Sequence, residues 1–367
     1  MTLSMQAAAA LARIARVSGV RAEPQTLMPA EVILELSGEI VRSRLCTFTD
    51  ASGKEHCLRP DLTTPIAQMV ASSELPVARY HGAGPVYRLP PRGSNDPVEH
   101  LQIGFEWFGN GGSPSEDAEA LAVALEAAQA GGATGAQVRF GDVAIYRAVL
   151  AALSFSPQWS DRLRRAFSRR KGPQELLADA SRSPSADAGE VGRLGLLPSK
   201  EAALGVVAEL KRLGVEPVGR SVDDIAARLR DKAADVAPAA SVSAALIKYL
   251  DISVSMPASL GALQAFAREQ GLDISAALDA FAERLAHIAK LKPPFWSEAV
   301  FSAQAGRRFE YYDGFVFELA REGAADRPIV SGGRYDGLIA RLSGGTRDAS
   351  AIGAALRADR LGEGSRA

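Results

Sequence analysis

Four short segments set charged and hydrogen-bonding side chains among apolar neighbours, the pattern in which a site is sought. The first is Leu58-Arg59-Pro60-Asp61-Leu62-Thr63-Thr64-Pro65. The second pairs Gly84-Pro85-Val86-Tyr87-Arg88 with Leu101-Gln102-Ile103-Gly104-Phe105-Glu106-Trp107-Phe108-Gly109, across a proline-rich loop. The third is Arg307-Arg308-Phe309-Glu310-Tyr311-Tyr312-Asp313-Gly314-Phe315, and the fourth is Ser331-Gly332-Gly333-Arg334-Tyr335-Asp336-Gly337-Leu338. Gln102, Gly104 and Glu106 are two apart, so on a strand they share one face, while Ile103, Phe105 and Trp107 take the other. A Gln/Gly/Glu face lines either water or a ligand. For this strand alone a solvent face is the simpler reading, and it loses ground because Tyr, Asp and Arg recur in the other segments. Metal chemistry fits poorly. The chain has 4 histidines (His56, His81, His100 and His287) and 2 cysteines (Cys46 and Cys57). None stands at ligand spacing, so neither a metal nor a cofactor is expected.

The elements that must position these segments follow from period and punctuation. Residues 4–18 repeat apolar positions on a helical period and stop at Gly19; residues 20–29 read as extended and 30–44 as a second helix. Strands at 46–50 and 55–58 flank Ala51-Ser52-Gly53-Lys54, a hairpin signal. A helix at 63–72, strands at 77–80, 84–87 and 101–108, and an alanine-rich helix at 115–130 closed by Gly131-Gly132 come next. Then follows a strand at 138–140. From about 156 to 290 strand signals almost vanish, and residues 181–198 read as an exposed loop. Strands return at 299–303, 310–319 and 329–331, before a final helix expected over 353–361. This order implies an α+β fold with a mostly antiparallel sheet, helices against it and a helical insertion.

Composition narrows the classes. The 42 basic side chains nearly cancel 43 acidic ones, for a net charge of −1, so a strongly basic nucleic-acid binder is not expected. The basic run Arg162, Arg164, Arg165, Arg169, Arg170 and Lys171 reads as a solvated helical face. The apolar run 7–12 is too short to span a bilayer and lacks signal-peptide flanks, so no membrane association is expected. Two thiols near a hairpin read best as reduced, which fits the cytoplasm.

At these four segments the chain resembles histidyl-tRNA synthetase, a class II aminoacyl-tRNA synthetase. Residues 26–31, with Pro29, resemble motif 1; Arg88 matches the motif 2 arginine; residues 353–361, with Arg360, match motif 3. RRFEYYDG and GGRYDGL resemble the two histidyl signatures. The likeness implies a class II antiparallel sheet in two parts, 1–155 and 296–367, around an insertion at 156–295, and a two-fold dimer formed near the first two helices. It further implies a histidine pocket. Asp61 matches the acidic residue for the α-ammonium, Thr63 and Gln102 match its neighbours, and Glu106 and Tyr312 match groups that hold the imidazole. Arg88, Arg307 and Tyr311 match further pocket positions. As a set they suit histidine: carboxylates for an ammonium, a carboxylate and a phenol for two ring nitrogens, an arginine for a carboxylate.

The departures point away from tRNA charging. The family's Arg-x-Glu is Arg88-Leu89-Pro90 here, a loop arginine is replaced by Val98, and a small glycine position is taken by Arg357. An Arg-Gly pair becomes Arg307-Arg308. The sequence ends soon after motif 3, so no anticodon-binding module is expected. A synthetase fold that keeps the amino-acid pocket and loses the nucleotide contacts resembles the regulatory subunits of ATP phosphoribosyltransferase. That likeness implies a non-catalytic chain with a short catalytic subunit as partner, histidine as feedback effector, and no chemistry of its own. Two alternatives stay open: a tRNA-independent amino-acid-activating ligase, and a scaffold with a dead pocket.

Overall fold

The computed structural model describes residues 3–37, 39–91, 93–94, 96–109, 111–167, 172–182, 212, 221, 223–224, 237–306 and 311–362. The chain divides into two compact units, one comprising Met1–Val149 with Tyr249–Ala367 and the other Leu150–Lys248. In chain order the elements are α1 (Met5–Ala15), β1 (Val20–Arg21), β2 (Leu27–Pro29), α2 (Ala30–Ser37), β3 (Thr47–Thr49), β4 (Glu55–Leu58) and α3 (Thr63–Ala71). Next come β5 (Arg79–Tyr87), β6 (Glu99–Gly109), α4 (Pro114–Ala130), β7 (Ala136–Asp142) and α5 (Val143–Ala152). The second unit holds α6 (Pro157–Phe167), α7 (Pro173–Arg182) and most of α8 (Ala240–Leu250). The first unit resumes with β8 (Ser253–Ser255), α9 (Ser259–Gln270), α10 (Ser275–Leu291), β9 (Val300–Ser302), β10 (Phe315–Arg321), β11 (Val330–Arg334), α11 (Gly337–Leu342) and β12 (Ser350–Arg357).

Nine strands form one sheet in the order β1-β5-β6-β12-β11-β10-β7-β9-β8, and β2-β4-β3 form a second. Only β1 against β5 and β7 against β9 run parallel; the other described pairs are antiparallel. The α+β expectation holds. Helices α9 and α10, which the sequence reading counts with the insertion, pack in the first unit.

One element differs in kind. Residues 353–361, expected as a helix, belong to β12 up to Arg357 and then to a short 3₁₀ turn, Ala358–Arg360. The run Ser350-Ala-Ile-Gly-Ala-Ala-Leu-Arg357 has helix-favouring alanines, but it lies between β6 and β11 and is covered on both faces. Burial on both sides removes the polar/apolar alternation that marks a strand. The expected strands at 77–80 and 84–87 are one strand, β5, continuous through His81-Gly82-Ala83.

Local chemistry explains the helices that brace the sheet. Ser4 Oγ accepts from Ala7 N at the start of α1, whose buried Ala7, Ala10 and Ile14 fall on one stripe. Ser113 Oγ caps α4 by accepting from Glu116 N, Pro114 opens it, and Gly131 closes it. Helix α1 packs on β6 on the side of Phe105 and Trp107, and α4 packs on α1, β11 and β12; Trp107 Nε1 donates to Ser18 Oγ at 2.5 Å. Helices α3 and α11 cover the opposite face, around a core of Leu62, Ile66, Val70, Tyr80, Phe108 and Leu338. Both cysteines are free thiols, Cys57 buried and Cys46 half-buried. Among the described residues no helix is long and apolar enough to cross a membrane.

Candidate functional site

The face of β6 that meets α3 carries Gln102, Gly104 and Glu106, as their spacing requires, and all three are buried. Glu106 is the centre of the site. Thr63, at the first turn of α3, donates its hydroxyl to Glu106 Oε1 at 2.5 Å. Tyr335, just past β11, donates its phenol to Oε2. Room for this carboxyl comes from Gly353, its direct neighbour on β12: a Cβ there would lie 1.8 Å from Glu106 Oε2. Burial pushes the Glu106 carboxyl up to about 8, against the opposing pull of the Thr63 and Tyr335 hydroxyls, and the nearby Asp61 raises it further. At neutral pH it is therefore mostly protonated in the unliganded pocket.

Asp61 and Gln102 fix the entry to α3. Asp61 Oδ1 accepts from Thr64 N at 2.8 Å, and Gln102 Oε1 accepts from Leu62 N at 2.7 Å. These contacts satisfy backbone donors at the helix start. Asp61 Oδ2 lies 3.8 Å from Arg88 Nη2, and Arg88 Nε donates to Pro60 O at 2.6 Å. A carboxylate and a guanidinium thus stand side by side near Glu106.

Three phenols complete the wall. Tyr311 packs edge-on to Tyr312 with ring centroids 4.8 Å apart, and Tyr335 lies 5.6 Å from Tyr311 and 6.4 Å from Tyr312. Burial raises the ionisation of all three above the ordinary phenol range, so they act as neutral donors and acceptors. The structure therefore brings together Asp61, Thr63, Arg88, Gln102, Glu106, Tyr311 and Tyr312. Arg307 lies outside the described residues.

Two contributors escaped the sequence reading of the site. Tyr335 sits in GGRYDGL, and its position next to Arg334 at a strand end already implies opposite faces for the two. Gly353 is legible only once β12 is recognised as a strand. Farther along the same face lies His100, which burial and the cations Arg357, Arg88 and Arg360 hold neutral, down to about 3. Arg357 is engaged by Asp359 through Nε and Nη2 at 2.8 and 2.7 Å. Arg360 reaches Pro328 O at 2.8 Å and Asp96 at 3.2 Å. These side chains fill the end of the face next to the pocket with intramolecular ion pairs. No cluster suited to a metal ion occurs among the described residues.

An antiparallel sheet with this pocket on β6 and the tyrosine-bearing signatures opposite it is the class II fold of histidyl-tRNA synthetase. The comparisons agree: the family model described as Histidyl-tRNA synthetase matches residues 6–248 and 226–361. A solved structure from Bacillus halodurans, titled as an ATP phosphoribosyltransferase regulatory subunit/histidyl-tRNA synthetase, superposes with a TM-score of 0.66 at 21% identity. It covers 99% of this chain and 78% of that one. The ATP phosphoribosyltransferase regulatory subunit of Mesorhizobium japonicum is 35% identical over 343 residues, 88% of either chain. That of Sinorhizobium fredii is 32% identical over 364 residues, 96% of this chain and 94% of its own. The chain belongs to the family of ATP phosphoribosyltransferase regulatory subunits.

Proposed function

We propose that this chain is the regulatory, non-catalytic partner of a short catalytic ATP phosphoribosyltransferase subunit in histidine biosynthesis, and that L-histidine binds the pocket around Glu106 as the feedback effector. The observation that carries the effector reading is the buried Glu106 carboxyl, held by the Thr63 and Tyr335 hydroxyls, within a pocket whose other wall is phenolic. An imidazole offers one donor and one acceptor nitrogen, which a carboxyl and a phenol such as Tyr312 complement. The neighbouring Asp61 and Arg88 present opposite charges at 3.8 Å, which matches the ammonium and carboxylate of a zwitterionic amino acid. Thr63 holds Glu106, Gln102 holds the backbone at Leu62 beside Asp61, Tyr311 backs Tyr312, and Arg307 is the remaining residue of the proposed set.

The nucleotide end of the face supports a regulatory role. Arg357 with Asp359 and Arg360 with Asp96 spend their charge on each other. A triphosphate would have to break these pairs. The near-neutral net charge supports a chain that does not handle tRNA, and the free thiols Cys46 and Cys57 fit a reducing cytoplasm. A dimer formed near α1 and α2, following the motif 1 likeness, would set two pockets in one assembly. Histidine then inhibits by favouring one arrangement of the complex, and the catalytic state must weaken histidine binding by the same factor.

Calorimetric titration of L-histidine into the wild type, Glu106→Ala and Asp61→Ala tests the reading. Binding by the wild type that both substitutions weaken is the expected result. An absence of heat from the wild type would leave a scaffold with a dead pocket. A clear histidine-dependent ATP–pyrophosphate exchange would establish the ligase alternative instead.

A further inference from the structure

The sheet carries a buried ionic network on the face opposite the pocket, and the two meet at one dipeptide. Arg334 closes β11 and Tyr335 follows it, so their side chains leave opposite faces of the sheet. Tyr335 reaches Glu106. The Arg334 guanidinium goes the other way and binds three carboxylates: Nε to Asp117 Oδ1 at 2.6 Å, Nη2 to Glu116 Oε2 at 2.9 Å, and Nη1 to Asp336 Oδ1 at 2.9 Å. Asp117, on α4, has its second oxygen on Arg284 of α10, at 2.6 Å from Nε. Arg284 Nη1 in turn holds Asp142 Oδ2 at 2.6 Å, at the end of β7. Arg284, Asp117, Asp142 and Arg334 are all buried.

The same network fixes the backbone of both tyrosine segments. Asp336 Oδ1 accepts from Ala351 N of β12 at 2.8 Å, and Tyr335 N donates to Ala351 O at 2.8 Å. Asp313, the residue after Tyr312, receives Asp336 N and Gly337 N on its two carboxylate oxygens, at 3.0 and 2.8 Å. Its own N donates to Arg334 O at 3.0 Å. The Arg334 side chain also lies against Gly314, where a Cβ would meet it at 3.2 Å. Tyr312 and Tyr335 therefore take their places from Arg334, and Arg334 takes its place from Asp117, which Arg284 holds from its other side.

We propose that Asp117 and Arg284 are positioning residues for the ligand pocket, setting the affinity for its amino-acid effector from across the sheet through Arg334. The inference rests on the histidine reading above. Neither residue touches the pocket. Each holds a guanidinium–carboxylate geometry that a substitute cannot reproduce, since a carboxylate bridging two guanidiniums needs two acceptor oxygens. Asp117→Asn keeps the shape, offers one acceptor and turns an amide N–H toward an arginine. Arg284→Lys keeps the charge but replaces the two-pronged contact by one point donor.

The test is calorimetric titration of histidine into the full chain, for the wild type, Asp117→Asn and Arg284→Lys, from pH 6 to 9.5. The groups around Glu106 over that range are Thr63, Asp61, Tyr311, Tyr312 and Tyr335. The expected loss in Asp117→Asn is roughly 10-fold, the low end of what losing an outer support of a site costs, because Asp117 acts through Arg334 and Tyr335. Arg284→Lys should fall between it and the wild type. Moving Tyr335 off Glu106 also removes a hydrogen bond that favours the ionised carboxyl, so the midpoint of the pH profile of binding should move upward, a change that general loosening does not produce. Either folded variant binding histidine as the wild type does, with the same pH midpoint, overturns the proposal. If Asp117→Asn fails to fold, Arg284→Lys decides alone. A wild type that binds no histidine fails the effector reading itself and removes this inference with it.

Discussion

Substituting Glu106 by Gln tests whether the pocket carboxyl is protonated by burial. Its oxygens face Thr63 and Tyr335 hydroxyls, and burial lifts it from the ordinary 4.5 to about 8. The folded chain then holds a proton that the unfolded chain releases over the window from about 4.5 to about 8. Stability falls as pH rises through that window and levels off above it, the reverse of the salt-bridged carboxylate case. With 1.36 kcal/mol per unit, the whole step is at most roughly 5 kcal/mol, and the part between pH 6 and pH 9 is about 2.5 kcal/mol. Glutamine has the same shape, accepts from one hydroxyl and donates to the other, and does not titrate. Urea unfolding of wild type and Glu106→Gln at pH 6, 7.5 and 9 isolates the effect, because every other titrating group cancels in the difference. The variant should gain on the wild type by about 2.5 kcal/mol from pH 6 to pH 9. A difference that stays constant with pH would refute a buried, protonated Glu106.

Other outcomes follow from neighbouring contacts. Tyr335→Phe removes a donor that favours the ionised carboxyl, so the alkaline fall in stability should move to higher pH, read from the same unfolding series. Gly353→Ala sets a Cβ 1.8 Å from Glu106 Oε2, so histidine binding should be lost in calorimetry and the melting temperature should fall. Ser113→Ala removes the α4 cap and should cost about 1 kcal/mol in thermal unfolding.

Much of the site was legible before the structure because strand geometry is simple. Gln102 and Glu106 had to share a face, and the hairpin around Gly53 and the glycine-closed α4 were fixed by local chemistry. What stayed hidden depends on register or on distant partners. Central strand β12 is buried on both faces and alanine-rich, so it reads as helix until β6 and β11 are seen beside it. Tyr335 could be assigned to no partner without the register that faces it toward Glu106. The Asp117–Arg284 pair joins residues 167 apart, and no spacing rule reaches that far.

The most direct measurement is transferase activity of the short catalytic subunit co-expressed with this chain, assayed with and without L-histidine. The two should co-purify, the catalytic subunit should gain activity in the complex, and histidine should lower it. A catalytic subunit that neither binds this chain nor changes its rate, with or without histidine, would contradict the regulatory reading.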